Sequence, residues 1–295
     1  MMRGRQVFAV AVRAPDGQIV LYSEPLTSPL YRARWAQWPF LRGLTLLGDT
    51  LGLGVRALLY SANVAVADDQ ASVSFQGPVV WGTLLFSLSA GIGIFFVLPA
   101  FLVGLIDQQI ASDLVTNLLE GGVRFAILMG YLVAVGRLPD VRRVFQYHGA
   151  EHKTINAYEA GAELSPASVQ RFSLMHPRCG TGFLLVVVVL SILFFAALGR
   201  PPLLERILSR VALIPVIAAV AYEFIRFGAA HYSNRLVRWL LAPSMALQRL
   251  TTRPPDDAML EVAIVALRKV LLAEGLAPDL RPSRSTVDTA VPQAT

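Results

Sequence analysis

Short alternating runs open the chain, and long apolar runs follow. Val7-Phe8-Ala9-Val10-Ala11-Val12 and Ile19-Val20-Leu21-Tyr22 flank Ala14-Pro15-Asp16-Gly17. Proline followed by Asp-Gly between two apolar runs is a turn signal, so the pattern predicts a β-hairpin within residues 1–39. Its apolar run is too short for a signal peptide, and no small-residue cleavage site follows. Residues 40–77 are apolar but carry Arg42, Asp49 and Arg56 at every seventh position, which on a helix makes one polar stripe. Two arrangements fit that stripe: an interfacial helix along a bilayer surface, or a tilted helix whose stripe faces protein.

Val79 to Ile106 contains no charge over 28 residues. That exceeds the roughly 30 Å of a hydrocarbon core at about 1.5 Å per residue, so tilt or a kink near Pro99 is expected. Further spans are expected at about 122–138, Thr181 to Gly199, and 211–229, giving spans one and two within 78–138 and spans three and four within 182–229. Between them, 139–181 reads as a polar loop. Residues 230–279 read as a helical segment in which Asp256-Asp257, Arg268-Lys269 and Gly275 mark the ends of an amphipathic helix. Residues 280–295 read as a disordered tail. The fold class predicted is a mainly α-helical polytopic membrane protein, about four spans plus an interfacial helix, with a small cytoplasmic α+β part.

Composition agrees. Apolar residues make up 55 % of the 295 and charged residues only 16 %, against about 45–50 % and 25 % in soluble domains. A single cysteine, Cys179, excludes a disulfide framework. The net charge is +6, and 22 of the 26 Lys and Arg fall in residues 1–77, 137–181 and 226–295. Four spans put those three segments on one side, which the positive-inside rule makes cytoplasmic. The expected location is thus the bacterial cytoplasmic (inner) membrane, with both termini inside. No P-loop, dinucleotide fingerprint or C-x-x-C pair occurs, and the charge distribution calls for no DNA partner.

Candidate chemistry concentrates in Tyr147-His148-Gly149-Ala150-Glu151-His152-Lys153. On a helix, His148 and His152 are one turn apart on one face, so both imidazoles can reach one metal ion. Glu151 is placed to take a proton from a water that the ion acidifies. H-x-x-E-H is the inverted zincin order; two surface histidines on a helix are the plainer reading. Catalytic zinc usually takes three protein ligands. Glu223, inside the apolar run 218–225, is a candidate third ligand, with pairing to Arg226 as the alternative. Cys179 or His176 is a candidate fourth, and Cys179 is alternatively a nucleophile or a small buried residue. Glu159 suits a supporting or capping role.

These motifs, with Tyr158-Glu159, Arg178-Cys179-Gly180-Thr181, Tyr222-Glu223, Met1-Met2-Arg3-Gly4 and Leu250-Thr251-Thr252-Arg253-Pro254, resemble the DUF1385 (YqhQ-like) family of bacterial membrane proteins over nearly the whole chain. The resemblance implies a metal-dependent membrane protein without an assigned substrate. Relatives carry a Gly-rich stretch ahead of Met-Met-Arg-Gly, so it also implies a start further upstream.

Two functions are expected. One is a membrane enzyme with a divalent metal, zinc by ligand type, at the cytoplasmic face: His148, His152 and Glu223 as ligands, Glu151 as general base, and hydrolysis of a peptide, lipid or other membrane-proximal substrate. The alternative is a scaffold or assembly factor in membrane-protein biogenesis. Its basic face (Arg142, Arg143, Arg171, Arg178, Arg235, Arg238) would meet an anionic partner, whether lipid headgroups or a ribonucleoprotein such as the ribosome or translocon. An exposed stripe at 42–56 would favour homo-oligomers. A transporter is the weakest alternative, because few charges are expected inside the spans.

Overall fold

The computed structural model describes residues 1–27, 33, 35–66, 78–276 and 286–288. The hairpin is present: β2 (Val7–Arg13) pairs antiparallel with β3 (Ile19–Pro25), and β1 (Met2–Arg3) adds to the far edge of β2. Gly17 closes the turn at φ +84°, a conformation that costs glycine little. Asp16 accepts the Gln18 amide at 2.9 Å. One difference from the expected tail is β4 (Thr286–Asp288), which lies parallel to β3. The free edge of β3 offers unpaired backbone groups, and a short β-favouring segment takes them. The remaining tail residues lie outside the described ones.

β2 is apolar on both faces because both are covered. Met2, Ala9, Ala11 and Leu21 pack with α11 (Asp257–Ala273) and with Ala150 and Ala157 of α5 (Pro139–Glu159). Phe8 and Val10 pack instead on Leu53 and Ala57 of α1 (Leu41–Val66). Asp256 caps α11 by accepting the Met259 amide at 2.8 Å, as its sequence position suggested. Residues 139–181 are not a loop throughout: α5 fills 21 of them, with Pro139 in its first turn, and α6 (Pro166–Val169) follows.

Of the two arrangements open to α1, the structure takes the one facing protein. Arg42 pairs with Glu223, Asp49 with Arg3 at 3.1 Å, and Arg56 with Glu24 at 3.0 Å. The stripe is therefore occupied within the chain. The expected continuation through 67–77 lies outside the described residues.

Among the described residues, three helical segments are long and apolar enough to cross a membrane: Trp81–Gly104, Asp113–Val135 and Gly180–Ala197. A fourth would be a pair bent by 42°, α8 (Leu203–Ala212) and α9 (Ile214–Ala230). The first is built from α2 (Pro78–Ile92), a wide π turn at Gly93–Val97, and α3 (Leu98–Gly104). Pro99 has no N–H for the Phe95 carbonyl four residues back, so the irregularity falls where a proline places it. Pro215 similarly follows the bend between α8 and α9. The second segment, α4 (Asp113–Val135), begins nine residues before the expected 122, and the fourth begins eight before the expected 211. Both shifts bring charged residues inside. α7 (Gly180–Ala197) packs closely on α4, where a Cβ on Gly121 would come within 2.3 Å of Ile192. α10 (Arg235–Thr251) packs along α7, with Ser244 against Gly182.

Candidate metal centre

Three elements meet at the start of α7. α5 supplies His148 and His152, whose rings stand 4.4 Å apart. The segment before α7 supplies Cys179, which caps that helix by accepting the Thr181 amide at 3.4 Å. The end of α10 supplies a backbone carbonyl, that of Thr251. Gly149 lets α5 approach this end, since a Cβ there would come within 2.2 Å of the Arg253 carbonyl oxygen.

The polar side chains of α5 fix the approach to Cys179. Lys153 donates to the carbonyls of Gln170 at 2.6 Å and Phe172 at 2.7 Å, and burial lowers its pKa. Asn156 donates to the carbonyls of Ser173 and Met175. Gln248 of α10, buried, clamps the His176 backbone from both sides, accepting its amide and donating to its carbonyl, each at 2.9 Å.

A ligand atom from each of His148, His152 and Cys179 lies within 4.8 Å of the others. Both imidazoles are held by backbone. His148 Nδ1 lies 3.0 Å from the Thr251 carbonyl oxygen, and His152 Nδ1 lies 2.5 Å from that of Leu174. A carbonyl only accepts, so Nδ1 carries the proton in each ring. In the neutral ring Nε2 then carries the lone pair, the tautomer that a metal ligand requires, and in both rings it is turned to the Cys179 sulfur. His148 Nε2 is 3.4 Å from Cys179 Sγ. Nitrogen and sulfur sharing a tetrahedral zinc at ordinary bond lengths would be roughly 3.6 Å apart, so this pair is already at ligand spacing.

Burial alone would push the Cys179 thiol up, but the His148 and His152 rings bonded to it outweigh that and hold it at about 5. Burial would likewise lower His148. The adjoining Cys179 sulfur, the Thr251 carbonyl and the Glu151 charge prevail and raise it. Because Cys179 is the sole cysteine, thiolate ultraviolet absorbance in metal-free protein reports it alone. That absorbance should disappear on acidification with a midpoint near 5, far below the roughly 8.5 of a free thiol, and Cys179→Ser should abolish the signal.

The other candidates separate. Glu151 lies between the two histidines on α5, and its charge acts on His148. Among the described residues it has no hydrogen bond or ion pair of its own. His176 stands behind His152, ring centroids 6.0 Å apart, with Nε2 3.4 Å from Glu159. Its Nδ1 accepts the Arg178 amide at 3.3 Å, so its ring is engaged away from the cluster. Burial lowers its pKa, against the opposing pull of Glu159. Glu159 thus supports His176 and Arg178.

Glu223 corrects the expected ligand set. Its carboxylate takes both ends of the Arg42 guanidinium, Nε at 2.7 Å, and the Phe40 amide at 3.2 Å. It joins α1 to α9 and does not belong to the histidine cluster; Arg226 is not its bonded partner. A cavity of about 380 Å³ beside this pair is lined by Arg42, Asp49, Tyr222 and Arg226, and no residue of the histidine cluster lines it. Sequence reasoning missed Thr251, Leu174 and Gln248. The first two act through backbone carbonyls, which no residue type announces.

Comparison with known proteins adds a family without an activity. The family model described as "Protein of unknown function (DUF1385)" matches residues 38–273. The chain is similar to "Uncharacterized protein YqhQ" of Bacillus subtilis (strain 168), 28 % identical over 301 residues that cover 97 % of this chain and 94 % of that relative. No solved structure matches.

Proposed function

The chain belongs to the DUF1385 family, and we propose that it is a metal-dependent membrane enzyme, a hydrolase, whose zinc is held by His148, His152 and Cys179. The observation that carries this reading is the pair of backbone-held imidazoles with Nε2 turned to a thiolate-favouring cysteine. Two imidazoles and one thiolate are a zinc set, and three protein ligands leave one position open, as in catalytic rather than structural sites. Bound there, the metal would lower the pKa of water towards neutrality and polarise a carbonyl or phosphoryl group.

The chain's own residues supply the remainder. The Thr251 and Leu174 carbonyls fix the imidazoles and make them better donors. Glu151, unengaged among the described residues and electrostatically coupled to His148, is the general base that accepts the proton of the attacking water. The substrate class is one presented at the membrane face, because the cluster caps the start of a segment apolar enough to cross a bilayer. The positive-inside distribution supports a cytoplasmic position for that face, in a bacterial inner membrane.

A second reading has its own support. The cluster lies where α5, α7 and α10 join, so a metal there would also clamp the sheet-bearing part to the apolar helices. Arg142, Arg143, Arg171, Arg178, Arg235 and Arg238 are all exposed, which suits a scaffold docking on anionic lipid or a ribonucleoprotein. Complementation of a deletion strain separates the two. For an enzyme, Glu151→Gln abolishes rescue as completely as His148→Ala while retaining full metal content. For a scaffold, Glu151→Gln rescues normally and His148→Ala does not.

A further inference from the structure

A second polar cluster lies within the apolar segments, roughly 18 Å along α7 from Cys179 by residue count. It joins Glu120 and Arg124 of α4, Arg206 and Arg210 of α8, and Asp107 just beyond α3. Glu120, Arg124, Arg206 and Arg210 are each no more than 2 % exposed. Glu120 accepts Arg124 at 2.8 Å and Arg210 at 3.2 Å. Asp107 accepts Arg206 at 2.6 Å. Three guanidiniums thus face two carboxylates. Arg200 and Asp113 pair with each other at the rim and leave that balance unchanged. Arginine does not deprotonate inside proteins, so one positive charge is left in a low-dielectric interior.

The unused donors lie on the same two arginines. Arg124 is fully engaged: Nε with the Phe95 carbonyl freed by Pro99, Nη1 with Ser191, Nη2 with Glu120. Arg210 Nη2 bonds Asn117, but its Nη1 is buried without a partner, as are Nε and Nη1 of Arg206. Arg206 and Arg210 are one turn apart on α8, so like charges face one another there. Phe195 lies under Arg210 at 4.2 Å and Arg124 at 4.9 Å, which eases but does not cancel the charge. Gly104 approaches this point closely, since a Cβ there would sit 3.8 Å from Arg206 Nη1 and only 3.0 Å from the Leu203 side chain. Both flanking segments are broken, by the π turn and by the bend between α8 and α9. Irregular backbone at such depth is tolerated where it lines a site.

We infer that Arg206 and Arg210 hold a small monovalent anion, of chloride size, inside the apolar helices. The occupant is small because neighbouring atoms cover the vacant donors, so that only an ion admitted by a small shift of the arginine ends fits. An ion of that size supplies the missing charge and accepts the free N–H groups together.

The test uses the whole protein in lipid nanodiscs, exchanged into gluconate buffer and titrated with chloride at constant ionic strength. Expected are saturable uptake of about one radiolabelled chloride per chain and a rise in unfolding midpoint of about 5 °C at a hundredfold excess over the dissociation constant. Arg206→Gln removes the excess charge and should abolish both effects. Gly104→Ala keeps every charge but fills the space beside Arg206, and should weaken chloride binding at least tenfold. Should Arg206→Gln fail to fold, Gly104→Ala decides. No saturable uptake by the wild type overturns the proposal, as does uptake unchanged in Gly104→Ala. An anionic phospholipid retained through Arg206, with no halide uptake, also overturns it.

Discussion

Purified protein should carry about one zinc per chain, and His148→Ala, His152→Ala and Cys179→Ala should each weaken zinc binding by more than about a hundredfold. Removing an outer-shell partner of a zinc ligand typically costs 10- to 100-fold in affinity, and loss of one of three inner ligands must exceed that. The two histidine variants should be similar in size, because each leaves one imidazole and the thiolate, whereas Cys179→Ala leaves two imidazoles. Their cause differs from a folding defect: His148 and Cys179 lie at the mouth of α7, and neither fills the main core around α11. Chelator competition with elemental analysis measures the affinities. Cobalt substitution adds a check on ligand identity, since the thiolate-to-cobalt absorption should vanish in Cys179→Ser but persist in His176→Ala. Wild-type protein holding less than a tenth of an equivalent, with no uptake of added zinc or cobalt, would remove the metal centre. The affinity should also fall on acidification, because all three ligands bind only in their deprotonated forms.

What the sequence disclosed follows from how local each feature is. The i, i+4 spacing of His148 and His152 brings two rings to one face of any helix, and the sole cysteine beside the Gly-Thr-Gly turn is where α7 begins. The hairpin and the capped α11 likewise rest on neighbours in the chain. Glu223 was misassigned because its partner is 181 residues away, on a helix whose placement the local pattern left open. The charges in the interior were missed for a related reason. Hydropathy sums residues singly, so Glu120, Arg124, Arg206 and Arg210 each argue against a span. Paired across α4 and α8, they lie within two candidate segments and stretch the limits of both beyond those expected.

The pairing implies that Glu120 is among the least replaceable residues. Glu120→Gln should destabilise the protein by at least 3–5 kcal/mol, the usual consequence of taking one partner from a buried ion pair, because it removes the negative charge that two arginines share. Arg124 and Arg210 are each 1 % exposed, so neither liberated guanidinium reaches water without local opening. The result should be a fall of about 10 °C or more in unfolding midpoint, or failure to accumulate in the membrane. The exposed Arg56–Glu24 pair is the internal comparison: with side chains 62 % and 35 % accessible, Glu24→Gln should cost no more than about 1 kcal/mol. Glu120→Gln with Arg124→Met should recover part of the loss, because one cation leaves with the anion. Additive losses in that double variant would mean the two residues do not act as a pair. Recovery would show that the loss comes from the unbalanced charge, since Arg210 keeps Asn117 and the amide carbonyl of Glu120→Gln as acceptors and loses only its anion.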